Sequence, residues 1–201
     1  MRPIAFLFVL LLCAAAQGQE RQTRILFTNV DVFEGTGPEL IEDASVLVEA
    51  DRIAAVSTGE IEADGATVID AAGRTMIPGL TDAHVHLMMQ DLPLARGMQS
   101  GLDYLSHVAA RAARNMLMRG FTTVRDMGGP VFGLKQAIDE GLIPGPRIYP
   151  SGPLLGQTSG HSDFRGPLEI PAEAGTLTPH ERMGFSLIGR ASCRERVCQY
   201  V

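Results

Sequence analysis

The sequence predicts an α/β protein in which parallel βαβ units follow a segment of short β-strands. Residues 24–77 are rich in β-branched and apolar residues separated by Gly, Pro and Asp turn signals, which is typical of several short strands. Beyond residue 78 the pattern becomes strand, helix, strand, helix, strand, as in parallel sheets with crossover helices. Two histidines, His84 and His86, lie near the end of the first of these later strands.

In the first segment we expect strands at about residues 25–33, 45–49, 52–57, 67–70 and 75–77. Turns such as Glu34-Gly35-Thr36-Gly37-Pro38 separate them. We assign this segment a structural role and no chemistry.

In the second segment a strand over 78–87 precedes a loop over 88–100. A helix is expected at about 102–119 because an apolar stripe recurs at helical spacing: Leu102, Leu105, Val108, Ala109, Ala112, Met116 and Leu117. His107 falls on the opposite, solvent-facing side. A strand at 121–126, a helix at 131–140 and a strand at 147–150 follow, and then a long aperiodic stretch at 151–179, ordered by the fold. His180 fits an exposed helix start.

The pair of histidines suggests a metal site. Alternate side chains of a strand share a face, so His84 and His86 should lie about 6.5 Å apart along one side of the backbone. Two neutral imidazoles that converge on one point suit a divalent transition metal such as zinc, and Asp82 on the same face could orient one of the rings. The alternative is a pair of strand histidines held by ordinary hydrogen bonds.

Four ordered motifs carry a family resemblance. Asp82-Ala83-His84-Val85-His86, after the turn Pro78-Gly79, resembles the first barrel strand of the metal-dependent amidohydrolase superfamily. Residues 120–129 and 145–152 resemble its second and third strands. The run 158–165, Thr-Ser-Gly-His-Ser-Asp-Phe-Arg, is most similar to the imidazolonepropionase-like branch that includes Xaa-Pro and Xaa-Arg dipeptidases.

This resemblance implies the N-terminal part of a (β/α)8 TIM barrel, preceded by part of a small β-sandwich domain. It also implies one or two zinc ions at the barrel mouth, with His84 and His86 as metal ligands. A carboxylated lysine, two further histidines and an aspartate would come from later strands, and Lys135 does not match that lysine. The catalytic residues are therefore unknown and are expected on the later strands of the barrel. Arg125 and His161 are candidates for binding a substrate carboxylate.

A TIM barrel needs about 250 residues, so a chain of 201 residues cannot complete one. We therefore expect an N-terminal fragment that is inactive and binds metal weakly. Its expected domains are a signal peptide (1–18), the partial β-sandwich (19–77) and the first three barrel strands (78–187). A non-native tail (188–201) would complete the chain.

The two ends of the chain are predicted to lie outside the folded protein. Arg2, an apolar run over 4–16 and small residues before Gln19 are typical of a secretory signal peptide. The run is short for a membrane span, which takes about 20 residues. We therefore expect a periplasmic or secreted protein without a stable membrane anchor, the alternative being a retained anchor. The tail from Ile188 can be encoded by a string resembling a short-read sequencing adapter, the alternative being a basic C-terminal helix.

The charge and the cysteine content bear on nucleic-acid binding and on disulfide bonds. The net charge of −6 and the lack of a basic stripe argue against a nucleic-acid partner. The three cysteines, Cys13, Cys193 and Cys198, all lie in the signal or the tail, so no disulfide framework is expected.

The leading hypothesis is a metal-dependent hydrolase that cleaves a C–N amide bond in a small molecule, such as a dipeptide or an N-acyl amino acid. The alternatives are a cyclic amidohydrolase or deaminase on the same scaffold and a non-catalytic homologue. Retention of Asp82, His84 and His86 argues against the non-catalytic homologue.

Overall fold

A computed structural model describes residues 23–165 and 178–189. The predicted signal segment and residues 190–201 of the predicted tail lie outside these ranges, whereas Ile188 and Gly189 lie within them. The chain divides into two compact units between Pro78 and Gly79.

The first unit is a four-stranded sheet in the order β3-β2-β1-β4. Its strands are β1 (Arg24–Val32), β2 (Ile41–Glu49), β3 (Arg52–Ser57) and β4 (Thr67–Met76). β2 is antiparallel to β1 and β3, while β4 is parallel to β1. Its buried core consists of Val30, Val32, Ala44 and Val46.

The prediction of two separate strands at 67–70 and 75–77 is wrong, because β4 is continuous. Its pairing with β1 shifts register between Thr28 and Val30, opposite residues 70–74 of β4. Ala72 and Gly73 have φ values of 54° and 70° at this irregularity. A local bulge of this kind lets a strand continue through residues that read as a turn.

The second unit begins with a three-stranded parallel sheet in the order β5-β6-β7. Its elements are β5 (Leu80–Val85), α1 (Leu94–Met98), α2 (Leu102–Met118), β6 (Phe121–Asp126), α3 (Phe132–Asp139) and β7 (Arg147–Pro150). The α/β class and the parallel βαβ arrangement are thus confirmed. The loop expected over 88–100 contains the short helix α1, which follows Pro93, a residue suited to the start of a helix.

The core of this unit lies between the sheet and the two longer helices. Val85, Val124 and Ile148 come from the three strands, and α2 adds the buried stripe Leu105, Ala109, Ala113 and Met116. His107 is exposed as predicted, whereas Leu102 at the first turn of α2 is exposed although the predicted stripe included it. None of the helices within the described ranges has the length and apolar character needed to cross a bilayer.

The region beyond β7 is more regular than expected. β8 (Leu154–Gln157) pairs in parallel with β9 (Ser186–Gly189), and α4 (Pro179–Arg182) lies between them in sequence. The predicted helix start at His180 is correct, with Thr178 as N-cap. The predicted exposure of His180 is wrong: its side chain is buried and its ring makes an edge contact with Phe164.

Candidate metal centre

The entry into β5 depends on Gly79. A β carbon at this position would lie 2.1 Å from Thr122 Oγ1 on β6, so only glycine allows the strands to approach this closely. The next amide, of Leu80, donates a 2.8 Å hydrogen bond to the carbonyl of Gly120. The Pro-Gly turn therefore places β5 directly beside β6.

The structure brings the two histidines of the His-x-His motif together at the carboxyl end of β5. Their ring centroids are 5.3 Å apart and their planes are inclined by 76°. Val85 and Leu87, which alternate with them, are buried in the core, while His84 is exposed and His86 is half-buried. The alternation predicted from the sequence thus separates the core residues from the imidazoles.

Asp82 contacts the backbone of the motif. Its Oδ1 accepts a 3.0 Å hydrogen bond from the amide of His84. The pairing of β5 with β6 is irregular between Asp82 and Val85. In this arrangement the carboxylate shapes the strand that carries the imidazoles, and its predicted role in orienting a ring stays a prediction.

His86 has a further neighbour on the loop after β6. Its Nδ1 lies 3.4 Å from the carbonyl oxygen of Gly128. A weak hydrogen bond at this distance requires the proton on Nδ1, which leaves Nε2 with a lone pair for a cation.

The donors present fit part of a zinc site. Neutral imidazoles are preferred zinc ligands, and a catalytic zinc takes three protein ligands. Within residues 23–165 and 178–189, no group of three or more His, Cys, Asp or Glu side chains could hold a metal ion. His84 and His86 therefore supply two donors, and any further ligand has to come from elsewhere.

The two predicted substrate-binding residues lie on different elements. Arg125 is an exposed residue of β6, paired in register with Tyr149 of β7. His161 is exposed in the turn after β8. In the described part of the chain, no hydrogen bond joins either side chain to His84 or His86.

The turn that carries His161 is held by its own residues. Asp163 accepts hydrogen bonds from the amide of Ser159 at 2.7 Å and from the guanidinium of Arg165. The Arg165 guanidinium holds the pKa of Asp163 well below its usual range. Lys135, in contrast, pairs with Asp139 within α3, and its exclusion as the bridging lysine stays a prediction.

Sequence reasoning assigned no role to Asp126, the last residue of β6. This residue is fully buried, and its two carboxylate oxygens accept backbone hydrogen bonds from Leu87 and Gly128. Burial raises the pKa of Asp126, although both amides and the nearby His86 oppose the shift. The signal in the sequence was an acidic residue at the carboxyl end of a β-branched strand, two residues after the buried Val124.

Comparison with known proteins shows the family to which this chain is related in sequence. A sequence profile described as the amidohydrolase family matches residues 75–199. Ochratoxinase from Aspergillus niger is 36% identical over 112 residues, which are 52% of this chain and 23% of that protein. A 5'-deoxyadenosine deaminase from Methanothermobacter thermautotrophicus is 33% identical over 126 residues, covering 52% of this chain and 30% of that protein.

A solved structure resembles most of the chain. It is a prolidase in complex with N-methylphosphonate-L-proline, with a TM-score of 0.68 and 31% sequence identity. The similarity covers 83% of this chain and 40% of the prolidase chain. The chain thus spans less than half the length of the proteins it matches.

Proposed function

Because this chain belongs to the amidohydrolase family, we propose that it is part of a metal-dependent hydrolase that cleaves a C–N amide bond. The observation that carries the proposal is the pair of adjacent imidazoles, His84 and His86, at the carboxyl end of the first strand in a parallel sheet. Parallel α/β folds place their reactive groups at this end of the strands.

His84 and His86 would hold a divalent metal ion, for which we propose zinc. A bound cation of this type supplies Lewis acidity to a substrate carbonyl. The contribution of this chain is to bind and orient: Gly128 accepts from Nδ1 of His86, and Asp82 fixes the amide of His84. The general acid and base would come from residues outside this chain.

For the complete fold we propose a (β/α)8 barrel, with β5, β6 and β7 as its first three strands. The sheet of the first unit would be part of a β-sandwich. The prolidase supports this proposal through its similarity to 83% of the chain. Export to the periplasm or the exterior is also proposed, on the strength of the signal-like residues at 1–18.

The proposed substrate is a dipeptide or an N-acyl amino acid. The solved prolidase complex contains N-methylphosphonate-L-proline, an N-substituted amino acid, which supports a substrate of this class. Arg125 and His161 are the candidates for binding the carboxylate of such a substrate, because both are exposed and a guanidinium can bind a carboxylate through two parallel hydrogen bonds.

The similarity to the 5'-deoxyadenosine deaminase favours a second candidate function, deamination or cyclic amide hydrolysis on the same scaffold. Both candidates need the histidine pair, so a substrate panel is required to separate them. A non-catalytic homologue is the third candidate, and it predicts that metal binding or turnover is absent.

The test uses the longest reading frame that contains this chain, purified with its native metal. We expect about one or two equivalents of zinc, hydrolysis of Xaa-Pro or Xaa-Arg dipeptides, and no turnover of adenosine derivatives. His84→Ala and His86→Ala should each lose most of the metal and the activity, while His107→Ala, an exposed residue of α2, should retain both. Full metal content and activity in the His84→Ala and His86→Ala variants would refute the assignment.

The 201-residue chain alone should behave differently. Its described residues supply two of the three protein ligands that a catalytic zinc takes, so the chain should bind zinc weakly and hydrolyse none of these substrates. Turnover by this chain at a rate comparable to the longer protein would show that the essential ligands are already present.

A further inference from the structure

Asp126 is a buried acidic residue for which the proposed chemistry has no use. Its side chain is 0% exposed, and it lies at the last position of β6, opposite Val85 in the pairing with β5. A carboxylate withdrawn from water is costly unless its oxygens receive hydrogen bonds. The groups that donate hydrogen bonds to the Asp126 carboxylate therefore indicate its structural role.

The two oxygens of Asp126 bind two different segments. Oδ2 accepts a 2.8 Å hydrogen bond from the amide of Leu87, and Oδ1 accepts a 3.1 Å bond from the amide of Gly128. Leu87 directly follows His86 in the chain, and Gly128 carries the carbonyl that faces His86 Nδ1. One carboxylate thus connects the backbone that carries this histidine with the loop that contacts its ring.

The backbone at Asp126 is hydrogen-bonded to the chain on both neighbouring sides, at β5 and just beyond β7. Its carbonyl accepts a 2.9 Å hydrogen bond from Ser151 beyond β7, and the next amide, of Met127, donates at 2.9 Å to Val85 of β5. Since the main chain is anchored in the sheet, the carboxylate can act as a rigid reference for Leu87 and Gly128.

From this arrangement we propose that Asp126 is a positioning residue, which holds the end of β5 and the loop after β6 so that His86 keeps Nδ1 against the Gly128 carbonyl and offers Nε2 to a metal ion. The proposal rests on the proposed metal role of His86. It explains why an acid occupies this site, because an asparagine can accept only one of the two amide hydrogen bonds and turns a donor toward the other.

The experiment compares Asp126→Asn and Asp126→Ala with the wild type in the longest reading frame that contains this chain. The matched control is Asp139→Asn, the same change at a partly exposed ion pair on α3. Zinc affinity is measured by competition with a chromophoric chelator. In the metal-free protein, hydrogen exchange of the peptide spanning residues 84–89 and the 15N shifts of labelled histidines report the loop and the tautomer of His86.

We expect Asp126→Asn to weaken zinc binding by about 10- to 100-fold, the usual effect of losing a group that orients a ligand. Asp126→Ala should weaken it further, and both should speed exchange in residues 84–89, while Asp139→Asn matches the wild type. The wild-type His86 should carry its proton on Nδ1, and the variants should show a mixture of tautomers.

Two outcomes would overturn the proposal. Zinc affinity within twofold of the wild type in a folded Asp126→Asn protein would reduce Asp126 to a structural residue. A wild-type His86 protonated on Nε2 would contradict it even if neither variant folds. If the wild type binds no divalent cation, the proposed function fails, whereas exchange and tautomer in the metal-free protein still decide whether Asp126 holds His86.

Discussion

Gly128 lies directly against the side chain of Leu154. A β carbon on Gly128 would be 2.4 Å from Leu154 Cγ, a distance that real β carbons do not show. Leu154 begins β8, so the loop that contacts His86 is packed against the region after β7. The geometry of the histidine pair therefore depends on a glycine that no metal-ligand motif would single out.

Replacing this glycine should disturb the site through packing. We expect Gly128→Ala to destabilise the protein by about 1–3 kcal/mol, because the added methyl group overpacks a filled space. It should also reduce zinc affinity, since the carbonyl of Gly128 moves relative to His86. Thermal unfolding and zinc competition measure the two effects.

Gly133→Ala is the matched control. Apart from its chain neighbours and the backbone of its own helix, no atom lies within 4 Å of a β carbon at Gly133, which belongs to α3. This substitution should leave zinc affinity unchanged and stabilise the helix by up to about 1 kcal/mol. Equal loss of affinity in both variants would mean that the contact with Leu154 does not matter.

Two leucines of α2 should differ in how much each contributes to the stability of the second unit. Leu105 is 1% exposed and packs in the core, whereas Leu102, one turn earlier, is 38% exposed. Leu105→Ala should cost about 2–5 kcal/mol through lost burial and a cavity, and Leu102→Ala less than about 1 kcal/mol. Denaturant unfolding decides the matter: similar midpoints for the two variants would contradict the assigned orientation of α2.

Acid should weaken the turn that carries His161. Because the pKa of Asp163 is held well below its usual value by Arg165 and backbone amides, the folded protein keeps this carboxylate ionised where the unfolded chain protonates it. The stabilisation is therefore complete above about pH 5, roughly one unit above the pKa of an unfolded aspartate, and declines as the pH falls through that value toward the folded pKa.

Asp163→Asn should accordingly lose less stability than the wild type between pH 5 and pH 3, although it is less stable at pH 7. The free energy of unfolding from denaturant titrations at several pH values measures this difference. Asp139→Asn, the same change at a partly exposed pair, serves as the control for the substitution itself. If the free energy of unfolding of Asp163→Asn falls with pH as steeply as that of the wild type, the role of this ion pair is refuted.

The cap of α4 provides a test of the connection to β9. Thr178 Oγ1 accepts from the amide of Glu181, whose carboxylate accepts in turn from the amides of Thr178 and Ile188. Burial alone raises the pKa of Glu181, but these hydrogen bonds and the charge of Arg165 lower it overall. The capping box thus joins the helix to the strand.

Thr178→Ala should cost about 1 kcal/mol, the usual price of a lost N-cap hydroxyl. Hydrogen exchange should increase in α4 and at Ile188, while Thr178→Ser, which retains the hydroxyl, should restore protection. Equal exchange in the Ala and Ser variants would show that the cap does not stabilise this segment.

The local pattern of the sequence was sufficient for most elements. Helical spacing predicted α2 to within one residue, and turn residues predicted β3 and β7 correctly. The errors in the strands fell where long-range pairing overrides local signals. β4 continues past Ala72 and Gly73 because β1 supplies hydrogen bonds on both sides of a bulge, and β8 forms because β9 lies beside it.

For the site, the sequence by itself determined that two imidazoles share the end of β5, because alternation along a strand is a local property. Only the tertiary structure decided what surrounds them. The amide of Leu87 donates a hydrogen bond to Asp126, 39 residues away in sequence, and the ring of His86 contacts the carbonyl of Gly128, 42 residues away. Spacing in the chain does not encode such contacts, since they arise from the register of neighbouring parallel strands.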